Sequence, residues 1–147
     1  MHKIEVSSAR SLVGSEIALT DWFVVDQSKI DAFAEVTGDH QWIHVDVARS
    51  EEAMGGTIAH GFLLLSILPA MLGTEVEFVG CEAGFNYGVE GLRFVSPVKA
   101  GESIRARQTL IAYEDRPSGK LLRSKVSVEV AGKDKPALVV ETMALFR

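Results

Sequence analysis

Apolar and polar positions along this chain change their period about halfway. In the first half, Glu16 to Val25 contains the β-prone run Trp22-Phe23-Val24-Val25, which predicts a strand. Asp26 follows as a helix cap, because its carboxylate accepts the free N–H groups of a first turn. Ile30, Phe33, Ala34 and Thr37 then recur at helical spacing, and Gly38 supplies the left-handed residue that ends such a helix. His40 to Asp46 shows no regular period and reads as an ordered loop held down by Trp42 and Ile43. Asp46 caps a short helical turn through Glu52, which Gly55-Gly56 breaks. From Ala59 to Leu72 the chain is apolar all round, which predicts a helix about 21 Å long and buried on every side. Pro69 removes one internal hydrogen bond and kinks its last turn, and Gly73 ends it.

The second half alternates with the period of strands. Phe85 to Val95, Ser103 to Tyr113, Lys120 to Ala131 and Ala137 to Phe146 are the four segments. Between Lys120 and Ala131, Leu122, Ser124, Val126, Val128 and Val130 face one side, against Arg123, Lys125, Ser127 and Glu129. Pro97 to Gly101, Asp115 to Gly119 and Gly132 to Pro136 have turn compositions, so consecutive strands are expected to pair as an antiparallel meander. One sheet and one helix apolar all round imply an α+β architecture with the sheet curled around the helix. A single such layer leaves a sheet edge open, and self-association covers it.

At 147 residues the chain is expected to form one domain, 1–147, with about the first dozen residues peripheral. A net charge of −5 argues against a nucleic-acid partner. Met1-His-Lys-Ile-Glu lacks the apolar stretch of a signal peptide. The run Phe62 to Leu72, interrupted by Ser66 and Pro69, falls short of the ~20 residues a membrane span needs. Cys81 is alone, which excludes an intrachain disulfide and a cysteine metal site. The expectation is a cytoplasmic protein with no membrane partner.

Chemistry concentrates between Thr37 and Gly73. Asp39 and His44 stand five positions apart, after a helix stop and before a helix start. As structural residues they would cap a turn and satisfy a loop. As a pair they would share one water, one taking its proton and the other supplying one. At the helix start, Ala59-His60-Gly61 offers free N–H groups that attract an oxyanion, and Gly61 admits a ligand close to the backbone. Asn86, on a strand, either satisfies a buried backbone group or orients His44. Arg105, Arg107, Arg123 and Lys125 are read as a solvated sheet face, and His2, His40 and Cys81 have no metal-site spacing.

The sequence Phe33-Ala34-(x2)-Thr37-Gly38-Asp39-His40-Gln41-Trp42-Ile43-His44-Val45-Asp46 resembles the MaoC-like hydratases. So do Gly56-Thr57-Ile58-Ala59-His60-Gly61 and Arg93-Phe94-(x2)-Pro97-Val98-(x2)-Gly101, and together they extend the likeness over about residues 20–147. Gln41-Trp42 stands where that family commonly has Asn-Pro, and Val47 where it often has Pro, as in the nodulation-protein-N-like branch. The resemblance implies a hotdog fold and an (R)-specific enoyl-CoA hydratase acting on a coenzyme A or acyl-carrier-protein thioester. By it, Asp39 and His44 match the catalytic pair and Gly61 the residue whose N–H polarises the thioester carbonyl. Ala59, His60, Gln41 and Asn86 are then substrate-binding or orienting residues, with no metal, no cofactor and a homodimer. A thioester-binding hotdog protein without catalysis, or a thioesterase, would keep the pocket without needing the pair.

Overall fold

Asp26 opens the first long helix as its sequence position predicts. The computed structural model describes residues 1–147. In helix α1 (Gln27–Thr37) the Asp26 carboxylate accepts the Lys29 N–H at 3.0 Å, and Gly38 at φ 78° returns its N–H to the Ala34 carbonyl. The chain is thereby forced to turn just before Asp39. The expected loop beyond it holds one helical turn, α2 (Trp42–Val45). Asp46 then caps α3 (Val47–Met54), which Gly55 ends at φ 74°.

Hydrogen bonds from the Lys29 ammonium and the Ser28 hydroxyl hold the Asp26 carboxyl down from 3.8 to about 2. A carboxyl depressed on folding stabilises the protein above its unfolded value and loses that contribution as pH falls through the folded one. The window runs from about pH 4 down to about 2. Asp26→Asn keeps a capping oxygen without the charge. Its melting temperature is therefore expected to fall less steeply than the wild type's between those pH values, in thermal melts across the range.

The long apolar helix is interrupted. It forms α4 (Gly61–Ser66) and α5 (Leu68–Leu72), broken at Ile67. Pro69 sits in the first turn of α5, where its missing N–H and fixed φ are tolerated. The break thus comes earlier than the kink expected in the last turn. Nor is the helix buried on every side: Leu63, Leu64, Leu68 and Met71 face the sheet, whereas Phe62 is 64% exposed.

The sheet contains β2 (Glu16–Leu19), β5 (Gly84–Phe94), β6 (Ser103–Arg116), β7 (Gly119–Val130) and β8 (Leu138–Phe146) in the order β2-β6-β7-β8-β5. All pairs are antiparallel, and β3 (Phe23–Val24) also pairs with β6. The predicted Glu16–Val25 strand is thus two short ones. The meander holds only from β6 to β8, because β5 crosses to the far side of β8 and becomes an edge. Inward residues Ile104, Ala106, Val126, Val128, Leu138 and Val140 pack against α4 and α5. This is the hotdog arrangement of helix and curled sheet that the resemblance implies.

The first dozen residues are packed rather than peripheral. Strand β1 (His2–Glu5) pairs in parallel with β4 (Val76–Val79), and a 3-10 helix over Val6–Leu12 follows. Ile4, Val6 and Ala9 are buried against Val76, Leu110, Leu122 and Phe146. Their contacts come from the distant chain, so no local pattern announced them. The basic sheet face is cross-linked rather than simply solvated, with Arg105 on Glu129 and Arg123 on Glu90, each at 2.6 Å. No helix is long and apolar enough to cross a membrane.

Candidate active site

Two helix ends and one strand-like segment bring the chemistry together. Gly38 releases the chain at Asp39, which is exposed and receives the Gln41 N–H on Oδ1 at 3.4 Å. The single turn α2 then carries His44 inward until it is 7% exposed. Across from it, Thr57 to Ala59 runs as an extended segment tied to Lys99 and Val98, and it delivers His60 and Gly61 to the start of α4. One ligand-type atom from each of Asp39, His44 and His60 lies within 4.8 Å of the others.

Hydrogen bonds assign the imidazole tautomers. His44 Nδ1 lies 2.6 Å from the Ile58 carbonyl, which only accepts, so Nδ1 carries the proton. Its Nε2 then holds a lone pair, has no partner in the chain and is not occluded. His60 donates from Nε2 to the Asp39 carbonyl at 2.9 Å, which leaves Nδ1 as a buried atom without a partner. The two rings stack at 3.7 Å with a 23° tilt, and Phe33 packs on His60 at 4.9 Å. His60 therefore ties the Asp39 backbone to the His44 ring instead of projecting into open space as a ligand contact.

As a metal site this trio is poorly arranged. Imidazole lone pairs lie in the ring planes, and two nearly parallel stacked rings cannot aim theirs at one ion. One nitrogen of each ring is also committed to a carbonyl.

A cavity of about 300 Å³ opens beside His44, with Ile58, Ala59, Gly61 and Phe94 in its wall. The N–H groups of Gly61 and Phe62, first in α4, have no acceptor in the chain. A Cβ on Gly61 would meet the Phe94 ring at 3.0 Å, so any larger residue there requires the half-exposed ring to shift. The larger cavity, about 560 Å³, lies near the other end of the helical pair, against β5 and β8. Leu68, Leu72, Val89, Gln108 and Met143 line it, and so does Asn86.

Asn86 therefore does not orient His44; the Ile58 carbonyl does. Gln41 caps α2 through its backbone, and its side chain makes no hydrogen bond within the chain. Ala59 is buried in the smaller cavity's wall. His40 turns away to Glu35 at 3.5 Å. No sequence signal marks a backbone carbonyl, so the role of Ile58 becomes visible only once two distant segments meet.

The sequence profile described as the MaoC like domain matches residues 8–131. The chain belongs to that family. It is 38% identical to a nodulation protein N of Rhizobium leguminosarum, across 100% of this chain and 94% of the relative. It is 36% identical to a 3-hydroxyacyl-thioester dehydratase Z of Mycobacterium tuberculosis, covering 96% and 95% of the two chains. Among solved structures, a monoamine oxidase regulatory protein of Archaeoglobus superposes with a TM-score of 0.80 at 25% identity, over 99% of this chain and 96% of that one. Membership places this MaoC-like domain among dehydratases and hydratases.

Proposed function

We propose that the protein reversibly adds water to a trans-2-enoyl thioester, giving an (R)-3-hydroxyacyl thioester on coenzyme A or acyl carrier protein. The observation that carries this reading is the free Nε2 of a buried, tautomer-locked His44 beside Asp39, at a cavity that also contains Gly61. The relative described as a 3-hydroxyacyl-thioester dehydratase supports the substrate class.

The thioester carbonyl lies toward the Gly61 N–H. His44 Nε2 takes a proton from water as the water oxygen bonds to C3. The displaced electron pair moves through C2 onto the thioester oxygen, where the Gly61 N–H stabilises it. Collapse of that enolate returns the pair to C2, which takes a proton through Asp39. That proton is the one the imidazolium took from water, relayed by the Asp39 carboxylate, so one water adds and the neutral imidazole and the carboxylate both return to their starting forms. Dehydration runs the same exchange backward. Incubating the protein with crotonyl-CoA and resolving the product by chiral chromatography tests the reading. (R)-3-hydroxybutyryl-CoA is expected; free coenzyme A would indicate a thioesterase, and unchanged substrate a binding protein.

The same reading includes a homodimer. Strand β5 is an unpaired edge bearing Phe85, Tyr87 and Val89, all exposed, and Phe62 and Phe94 stand exposed nearby in a 5.8 Å edge-to-face contact. An open sheet edge that carries exposed aromatic and aliphatic side chains is a ready template for pairing with a second copy. Light scattering at micromolar concentration is expected to report about 32 kDa, twice the 16.0 kDa chain. A mass of one chain would rule the dimer out.

A further inference from the structure

Outside the motifs, a single side chain ties both supports of His44 together. Gln27 begins α1 and is remote from His44 in sequence, yet its Nε2 donates to the His44 carbonyl at 2.7 Å and to Asp31 at 2.9 Å. Its Oε1 accepts the hydroxyl of Thr57, a residue only 2% exposed. The amide has only one tenable orientation. Turning it over would set Oε1 against the His44 carbonyl, two acceptors face to face.

These bonds close a ring. It runs from the His44 carbonyl through the Gln27 amide to the Thr57 hydroxyl, then along the backbone to the Ile58 carbonyl and back to His44 Nδ1. Such a ring is needed because α2 is a single turn. One helical turn fixes several dihedrals for one hydrogen bond and does not hold itself. The Ile58 N–H on the Ile43 carbonyl at 3.0 Å aligns the same two segments but does not touch residue 44.

We infer that Gln27 is a positioning residue for the hydration reaction, setting the angle and tautomer of the His44 imidazole by bracing its carbonyl and Thr57 at once. The inference rests on the assignment of His44 as the proton-accepting group, although the geometry of the ring does not. Gln27 lines neither cavity, so its loss is expected to act on turnover and not on substrate affinity.

The test is Gln27→Leu, similar in length but unable to bond. Turnover on crotonyl-CoA is expected to fall 10- to 100-fold with KM within about twofold, because a misplacement near 1 Å costs on that order. Two-dimensional 15N NMR of the histidine side chains supplies a readout independent of activity. The Nδ1–H tautomer of His44 is expected in the wild type and a mixture of tautomers in the variant. Unchanged ring signals overturn the inference even if the wild type proves inactive on crotonyl-CoA, and that inactivity would count only against the hydratase reading. Wild-type turnover in Gln27→Leu would overturn it as well. Should Gln27→Leu fail to fold, Thr57→Val and Thr57→Ser decide by the same signals. The serine variant is expected to recover the tautomer and most of the turnover lost in the valine variant, and equal behaviour of the two refutes the ring.

Discussion

Asp39→Asn and His44→Gln are each expected to lower hydration turnover by at least about 10²-fold, within the range of a positioned acid or base. Asp39→Asn keeps size and hydrogen bonding but removes the charge. His44→Gln keeps polarity but removes the only ring nitrogen in this pair with a lone pair free for a water proton. With ligand-type atoms within 4.8 Å, both groups reach one water, so losing either leaves that water misplaced. The double variant is expected to be barely worse than the poorer single, since residues that act as a unit are not additive. Fully multiplicative losses would mean separate tasks. Asp39 is exposed, and its variant is expected to melt near the wild-type temperature. His44→Gln gives up the bond to Ile58 and the stack on His60, so its melting temperature is the necessary control.

Replacing Gly61 carries the second large effect. Gly61→Val is expected to cost 10²- to 10³-fold in turnover, roughly 3–4 kcal/mol, the usual consequence of losing one oxyanion donor. Two causes act together. The first side-chain carbon already meets the Phe94 ring at 3.0 Å, so the ring or the helix start must shift. The valine branches then enter the cavity shared with His44, next to the N–H that we propose receives the thioester oxygen. Gly61→Ala adds only the first carbon, and Phe94 is exposed enough to yield, so an intermediate loss is expected. Steady-state kinetics across Gly, Ala and Val would show that series. Near-normal turnover in the valine variant would move the oxyanion role to another donor.

Much of the fold can be read from local pattern because its causes are local. Asp26, Gly38, Asp46 and Gly55 act within one helical turn, and all four cap the helices the sequence predicts. The alternation in β7 is a backbone property, and Leu122, Ser124, Val126, Val128 and Val130 are indeed its buried face. Of the residues that stand out between Thr37 and Gly73, His44, Ala59 and Gly61 line the smaller cavity, and Asp39 and His60 bring ligand-type atoms within 4.8 Å of His44.

Pairing partners are a different matter, because they depend on which distant segments bury each other. Strand β5 crosses β8 to reach an edge, and β1 finds β4 across most of the first half of the chain. Neither choice leaves a periodic trace. The all-round apolar character of Ala59 to Leu72 identified the central helix, but the sheet covers only one flank of it. At the site, the sequence by itself determined which ionisable groups are available and that a helix begins beside them. Only the tertiary structure decided the tautomers of the two histidines. A tautomer depends on the atom each ring nitrogen faces, and here those atoms are the Ile58 and Asp39 carbonyls. Main-chain oxygens are the same in every sequence, so their placement cannot be read before the chain has folded around them.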